Sequence, residues 1–103
     1  MNITDIKPKE IVKGYHGRFI HMETFTVAYW DVDAGSEIPI HSHMHEQMMQ
    51  VVEGEFELTL DGKSNTYTKG MVVKIPSNKE HGGKAITNCK LMDVFSPVRE
   101  DYK

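Results

Sequence analysis

Apolar and polar residues along this chain alternate with the two-residue period of strands rather than the 3.6-residue period of helices. Glu55-Phe56-Glu57-Leu58-Thr59-Leu60 alternates throughout, with Phe56, Leu58 and Leu60 on one face, which predicts a half-buried strand. Asp61-Gly62 follows as a hairpin turn signal, and Ser64 to Thr68 reads as the return strand. Thr24 to Trp30 is rich in β-branched and aromatic residues and closes on the turn chemistry of Asp33-Ala34-Gly35. Met48 to Val52 carries apolar residues on both faces, as a strand covered on each side requires. Gly70 opens Met71 to Ile75, which stops at Pro76-Ser77-Asn78, and a last run from Lys90 to Phe95 ends at Ser96-Pro97. No segment has an amphipathic helix pattern, and no repeat, linker or low-complexity stretch is present. Short strands separated by turn signals every ten residues or so predict an all-β sandwich or barrel. Residues 1 to about 18 are less patterned and are predicted as an N-terminal arm or edge strand, because Pro8 is incompatible with a central strand.

Composition narrows the possible partners. A chain of 103 residues suits one domain spanning 1–103. The net charge is −3, from 12 basic and 15 acidic residues, and the basic residues are scattered. Without a Lys/Arg stripe no nucleic-acid partner is expected, although a small anion needs only one well-placed arginine. The single cysteine, Cys89, excludes an internal disulfide and a thiolate zinc site, and is expected to be a small buried thiol. Asp5, Lys7, Lys9, Glu10 and Lys13 charge the opening stretch, so it holds no apolar signal-peptide core, and no run is long enough to span a bilayer. The expectation is a cytoplasmic protein without a membrane partner.

Candidate chemistry centres on the histidines. Three of the six occupy alternating positions, His41, His43 and His45, and Gln47 continues the alternation. On a strand these side chains would project into one space, where imidazoles and a carboxamide oxygen can ligate a transition metal. Spacing alone leaves solvated or hydrogen-bonded histidines equally open. His16 and His21 stand apart and are read as ordinary surface or hydrogen-bonded residues.

The wider spacing resembles that of the cupin family. Gly35, five residues, His41-Ser42-His43, three residues, Gln47, six residues and Gly54 match its first motif, at 35–54. Gly70, five residues, Pro76, four residues and His81 match its second, at 70–85. The resemblance implies a cupin jelly-roll β-barrel (a double-stranded β-helix) holding one divalent metal ion, with His41, His43, Gln47 and His81 as ligands. Nickel, zinc, iron, manganese and cobalt all suit such a set. Two positions depart from the family: Ala85 replaces an asparagine, and Asn78 replaces a turn glycine, a mild change because asparagine tolerates left-handed backbone. Gln47 stands where the family has glutamate. A neutral ligand leaves the ion its full charge, which favours polarising a substrate oxygen over oxygen activation.

The ending Asp93-Val94-Phe95-Ser96-Pro97-Val98-Arg99-Glu100-Asp101-Tyr102 adds further candidates. Asp93 and Phe95 share strand parity, so both face the interior if either does, and Arg99 could reach back over the barrel mouth. A carboxylate facing inward needs pairing, hydrogen bonds or a metal. From the strand alone, Asp93 could equally cap a turn or pair with Arg99. Together with His41 to Gln47, this ending resembles the KdgF-type cupins of uronate catabolism, which convert 4,5-unsaturated monouronates from pectin or alginate breakdown into linear keto acids. The resemblance implies Asp93, Phe95 and Arg99 as active-site residues, a small acidic sugar as substrate, no organic cofactor, and a homodimer. A cupin dioxygenase and a metal-dependent binding protein without catalysis are the alternatives.

Overall fold

The computed structural model describes residues 1–103. A 3-10 turn at Ile3–Asp5, capped by Asn2, leads into β1 (Lys9–Val12), β2 (Tyr15–His21), β3 (Thr26–Val32), β4 (Glu37–His41) and β5 (Glu46–Glu53). Next come β6 (Glu55–Leu60), β7 (Lys63–Thr68), β8 (Val72–Ile75), β9 (His81–Ala85) and β10 (Cys89–Ser96), before a second 3-10 turn at Glu100–Tyr102. The strands form a six-stranded sheet, β1-β2-β3-β10-β5-β8, and a four-stranded sheet, β4-β9-β6-β7. Inward residues of both, among them Trp30 and Val51 from the first and Phe56 and Leu58 from the second, pack into one core. This is the cupin jelly roll. No helix is long and apolar enough to cross a membrane.

Local chemistry explains the elements. Phe56 and Leu58 on β6 are buried, while Glu55 and Glu57 between them are exposed. Asp61 and Gly62 both have positive φ, 51° and 82°, the pair a tight two-residue hairpin requires. On β5, Met49 and Val51 point into the core, whereas Met48 is half-buried and Val52 exposed on the outer face. That outer face continues as an apolar row, because Met48 pairs with Val94 and Val94 with Val27. Cys89 is buried, as expected, and its thiol donates to the Glu55 carbonyl.

Two expectations change. The weakly patterned N-terminus is an arm and edge strand only as far as β1. Tyr15 to Arg18 belong to β2, which pairs with β1 on one side and β3 on the other. Gly17 hides this strand in the sequence by interrupting its apolar face, yet no larger residue fits: a Cβ there would lie 2.5 Å from Phe19 and 2.8 Å from Trp30. The second change concerns residues 41–47, which are not one strand. β4 ends at His41, β5 begins at Glu46, and the segment between crosses from the four-stranded to the six-stranded sheet. Alternation on a single pleat is therefore not what brings the histidines together.

β9 is thinned by Gly82 and Gly83, which leaves room for the Phe56 ring beneath it. A Cβ on Gly83 would stand 2.5 Å from that ring and 2.8 Å from the Glu57 carbonyl oxygen. Gly83→Ala should therefore lower unfolding stability by about 1–3 kcal/mol, the usual cost of overpacking. Urea denaturation measures it, and an unchanged midpoint would show that the contact carries no strain.

Candidate metal centre

The crossing segment and the turn into β9 bring three imidazoles together. His41 ends β4, His43 lies in the crossing, and His81 begins β9 opposite His41. One ligand atom from each lies within 4.8 Å of the other two. Asn78, at φ 63°, occupies the left-handed turn that the sequence assigned it, and its backbone N–H donates to the His43 carbonyl at 2.8 Å. Ser77 braces the same segment through its hydroxyl, which donates to the Met44 carbonyl. The two sequence motifs are thus physically tied.

Backbone carbonyls set the state of every ring. Nδ1 of His41 lies 2.9 Å from the Pro39 oxygen, Nδ1 of His43 3.0 Å from the His45 oxygen, and Nδ1 of His81 2.8 Å from the Lys79 oxygen. A carbonyl only accepts, so in the neutral imidazole each Nδ1 carries the proton and each Nε2 presents its lone pair. Burial, helped by the Arg99 charge, lowers the pKa of His43. Burial also lowers that of His81, to about 4. Both shifts favour the neutral imidazole that ligates metals.

Gln47, at the start of β5, closes the set. Its amide nitrogen donates to Asp93 Oδ1 at 3.0 Å, which leaves Oε1 directed at His43 Nε2, 3.2 Å away. Neither of these two atoms has a proton to give. Acceptors in contact repel one another unless a cation joins them, so the donor set fits a divalent ion bound by three Nε2 atoms and one amide oxygen.

Asp93 lies behind Gln47 on β10, 6% exposed. Gln47 holds one of its oxygens and the indole N–H of Trp30 donates to the other at 2.9 Å. Burial raises its pKa to about 6, against the opposing pull of these two hydrogen bonds and the Arg99 charge. Phe95 is buried two residues along the strand, with its ring edge-on to His43.

Arg99 follows β10 and is 7% exposed, with the backbone N–H donating to the fully buried Thr26 hydroxyl. Its guanidinium lies over the Phe95 and Tyr102 rings, at 4.6 and 4.0 Å from their centroids. It does not pair with Asp93. Nε and Nη2 instead donate to the two oxygens of Asp101, at 3.0 and 2.9 Å.

All the candidate residues, His41, His43, Gln47, His81, Asp93, Phe95 and Arg99, line one cavity, of about 50 Å³ open to water. That is room for an ion and a few waters. His45 does not line it, because the crossing breaks the alternation. Its Nε2 instead meets the Val98 carbonyl at 3.2 Å and ties the histidine segment to the C-terminal turn. Sequence reasoning missed Trp30 and Tyr102, which line the cavity. Trp30 had a usable signal: it shares inward parity with Ala28, the partner of Asp93 across β3 and β10, and a buried indole N–H needs an acceptor. Tyr102 had none.

Comparison with known proteins agrees with this architecture. A family model for the cupin domain matches residues 28–95. The pectin degradation protein KdgF of Dickeya dadantii (strain 3937) is 31% identical over 64 residues, 60% of this chain and 58% of that protein. The alignment thus spans little more than half of that relative. An RmlC-like cupin from Shewanella frigidimarina superposes with a TM-score of 0.95 at 30% identity, covering 100% of this chain and 94% of the other. KdgF from Halomonas sp. superposes with a TM-score of 0.91 at 25% identity, covering 97% and 94%.

The Asp93 environment makes a stability prediction for the metal-free protein. Unfolded, the carboxyl titrates near 3.8; folded, near 6, so between these values the folded chain holds a proton the unfolded chain has lost. This contribution is complete below about pH 4 and is lost as pH rises through 6. Relative to Asp93→Asn, the wild type should lose about 2 kcal/mol from pH 4 to 7, measured by urea unfolding at both values. A constant difference would show that the carboxyl is not held in a desolvated state.

Proposed function

Because this chain belongs to the cupin family and is a KdgF-like member of it, we propose that it opens 4,5-unsaturated monouronates and ketonises them to linear keto acids. One observation carries the reading: a buried carboxylate, Asp93, shares a cavity with three bare imidazole nitrogens and the buried cation of Arg99. The relatives named for KdgF support the substrate class.

An unsaturated monouronate is a cyclic hemiacetal whose ring oxygen is bonded to a carbon of the C4–C5 double bond. Taking the proton from the anomeric hydroxyl breaks the bond between C1 and the ring oxygen. C1 becomes an aldehyde and the ring oxygen an enolate. Proton delivery to C4 then turns the enolate into the C5 ketone. No electrons are exchanged, and the proton removed equals the proton returned.

Asp93 is suited to be that proton shuttle. In the metal-free chain burial raises its pKa to about 6, the direction a carboxyl that exchanges protons near neutrality requires. Trp30 and Gln47 fix its orientation, and each carboxylate oxygen keeps a lone pair for the substrate. Held by His41, His43, Gln47 and His81, a divalent ion would supply positive charge beside oxygen atoms that gain negative charge in the reaction. Arg99 lines the cavity, and its guanidinium is suited to hold the sugar carboxylate. Because the cavity itself is small, a six-carbon acid occupies the mouth and directs its reacting end inward. Phe95 and Tyr102 form apolar wall there and exclude water. The reading extends to a homodimer, for which Val27, Val94 and Met48 supply an outward apolar row.

The protein should accelerate the loss of ultraviolet absorbance of an unsaturated monouronate, and Asp93→Asn should slow this by about 10²–10⁴-fold, the usual worth of a positioned acid–base group. Equal rates for the two proteins would remove Asp93 from the chemistry. Tight binding of the sugar acid by wild type without turnover would reassign the site to ligand binding.

A further inference from the structure

Arg99 is the cation of the site, and the structure shows what holds it. A guanidinium offers two bidentate edges, one formed by Nε and Nη2 and one by Nη1 and Nη2. Asp101 occupies the first edge with both carboxylate oxygens. The Asp101 side chain is 60% exposed, against 9% for Arg99, so the clamp closes from the solvent side. Nη1 makes no hydrogen bond to the protein, while Arg99 forms part of the cavity wall.

We propose that Asp101 is a positioning residue for carboxylate recognition: by clamping the Nε–Nη2 edge of Arg99 it presents the Nη1–Nη2 edge to the cavity. The inference rests on the reading of Arg99 as the group that holds a sugar carboxylate. The guanidinium is planar, so fixing one edge fixes the direction of the other. The backbone bond to Thr26 and the Phe95 and Tyr102 rings restrict the position of the side chain, and Asp101 adds a two-point contact that restrains rotation within the guanidinium plane. It also balances a buried positive charge with an anion that water screens from the ligand, so a second carboxylate can bind the opposite edge. The alternative geometry, in which Asp101 fills the ligand's own place on Arg99, predicts the opposite sign: removing it would tighten binding.

Calorimetric titration of the zinc-loaded protein with galacturonate, a saturated monouronate that lacks the C4–C5 double bond and does not react, separates these outcomes. Wild type should bind it, and Arg99→Lys should bind at least about tenfold more weakly, because lysine cannot form the bidentate pair. Asp101→Asn should weaken binding about fivefold to tenfold, with melting temperature and zinc content unchanged, and Asp101→Glu should restore most of the affinity. If wild type binds no galacturonate, or Arg99→Lys binds as wild type does, the reading of Arg99 falls and this inference falls with it. If Arg99→Lys loses affinity while Asp101→Asn binds equally or more tightly, the role of Asp101 alone is overturned.

Discussion

A carboxylate inside a barrel has to be held by donors, and the two that Asp93 finds organise the cavity around it. Trp30 reaches it from β3, and Gln47 reaches it from β5. The Gln47 amide has two ends with opposite requirements. Its nitrogen serves Asp93, so its oxygen must face the imidazoles. A glutamate in its place would set two carboxylates against each other 3.0 Å apart, and one would have to stay protonated. The glutamine is therefore matched to the buried aspartate, and its oxygen is of a kind that suits a cation. Its neutrality, which preserves the charge of a bound cation, follows from the same pairing.

The rest of the fold delivers these groups to one place. β10 lies between β3 and β5, so Asp93 has neighbours carrying Trp30 and Gln47 on either side. The crossing between β4 and β5 brings His43 from one sheet to the other, and the turn before β9 fixes that crossing through Asn78 and Ser77. At the mouth the chain returns over the site, tied by the His45–Val98 and Arg99–Thr26 contacts. Each imidazole uses a carbonyl two residues away in sequence to set its tautomer. Such local restraints are inexpensive, because they do not depend on distant packing.

Much of this was legible in the residues. The strict alternation of β6 and the Asp61-Gly62 turn predicted their hairpin, and the shared parity of Asp93 and Phe95 predicted that both face inward if either does; both are buried. Other features were hidden for physical reasons. Gly17 removes a side chain from the inward face of β2, because Phe19 and Trp30 fill that space, and so it erases the pattern of an inner strand. The alternation of His41, His43, His45 and Gln47 suggested one pleat, but the chain bends there. Alternation would therefore have admitted His45, whereas the bend turns it to the Val98 carbonyl. The pairing of Asp101 with Arg99 was beyond sequence reasoning, since charges two residues apart meet only when the intervening turn curls them together, as the 3-10 turn does here.

Three carbonyl-bonded imidazoles and the Gln47 oxygen form one donor set, suited to a cation, beside Asp93. Anomalous diffraction at the metal edge, from crystals of the zinc-loaded protein, tests it most directly. A single ion is expected, bonded to Nε2 of His41, His43 and His81 at about 2.0–2.1 Å, with Gln47 Oε1 as a further ligand and Asp93 outside the coordination shell. An ion bound through Nδ1, coordinated by Asp93 in place of Gln47, or seated at another cluster would contradict it.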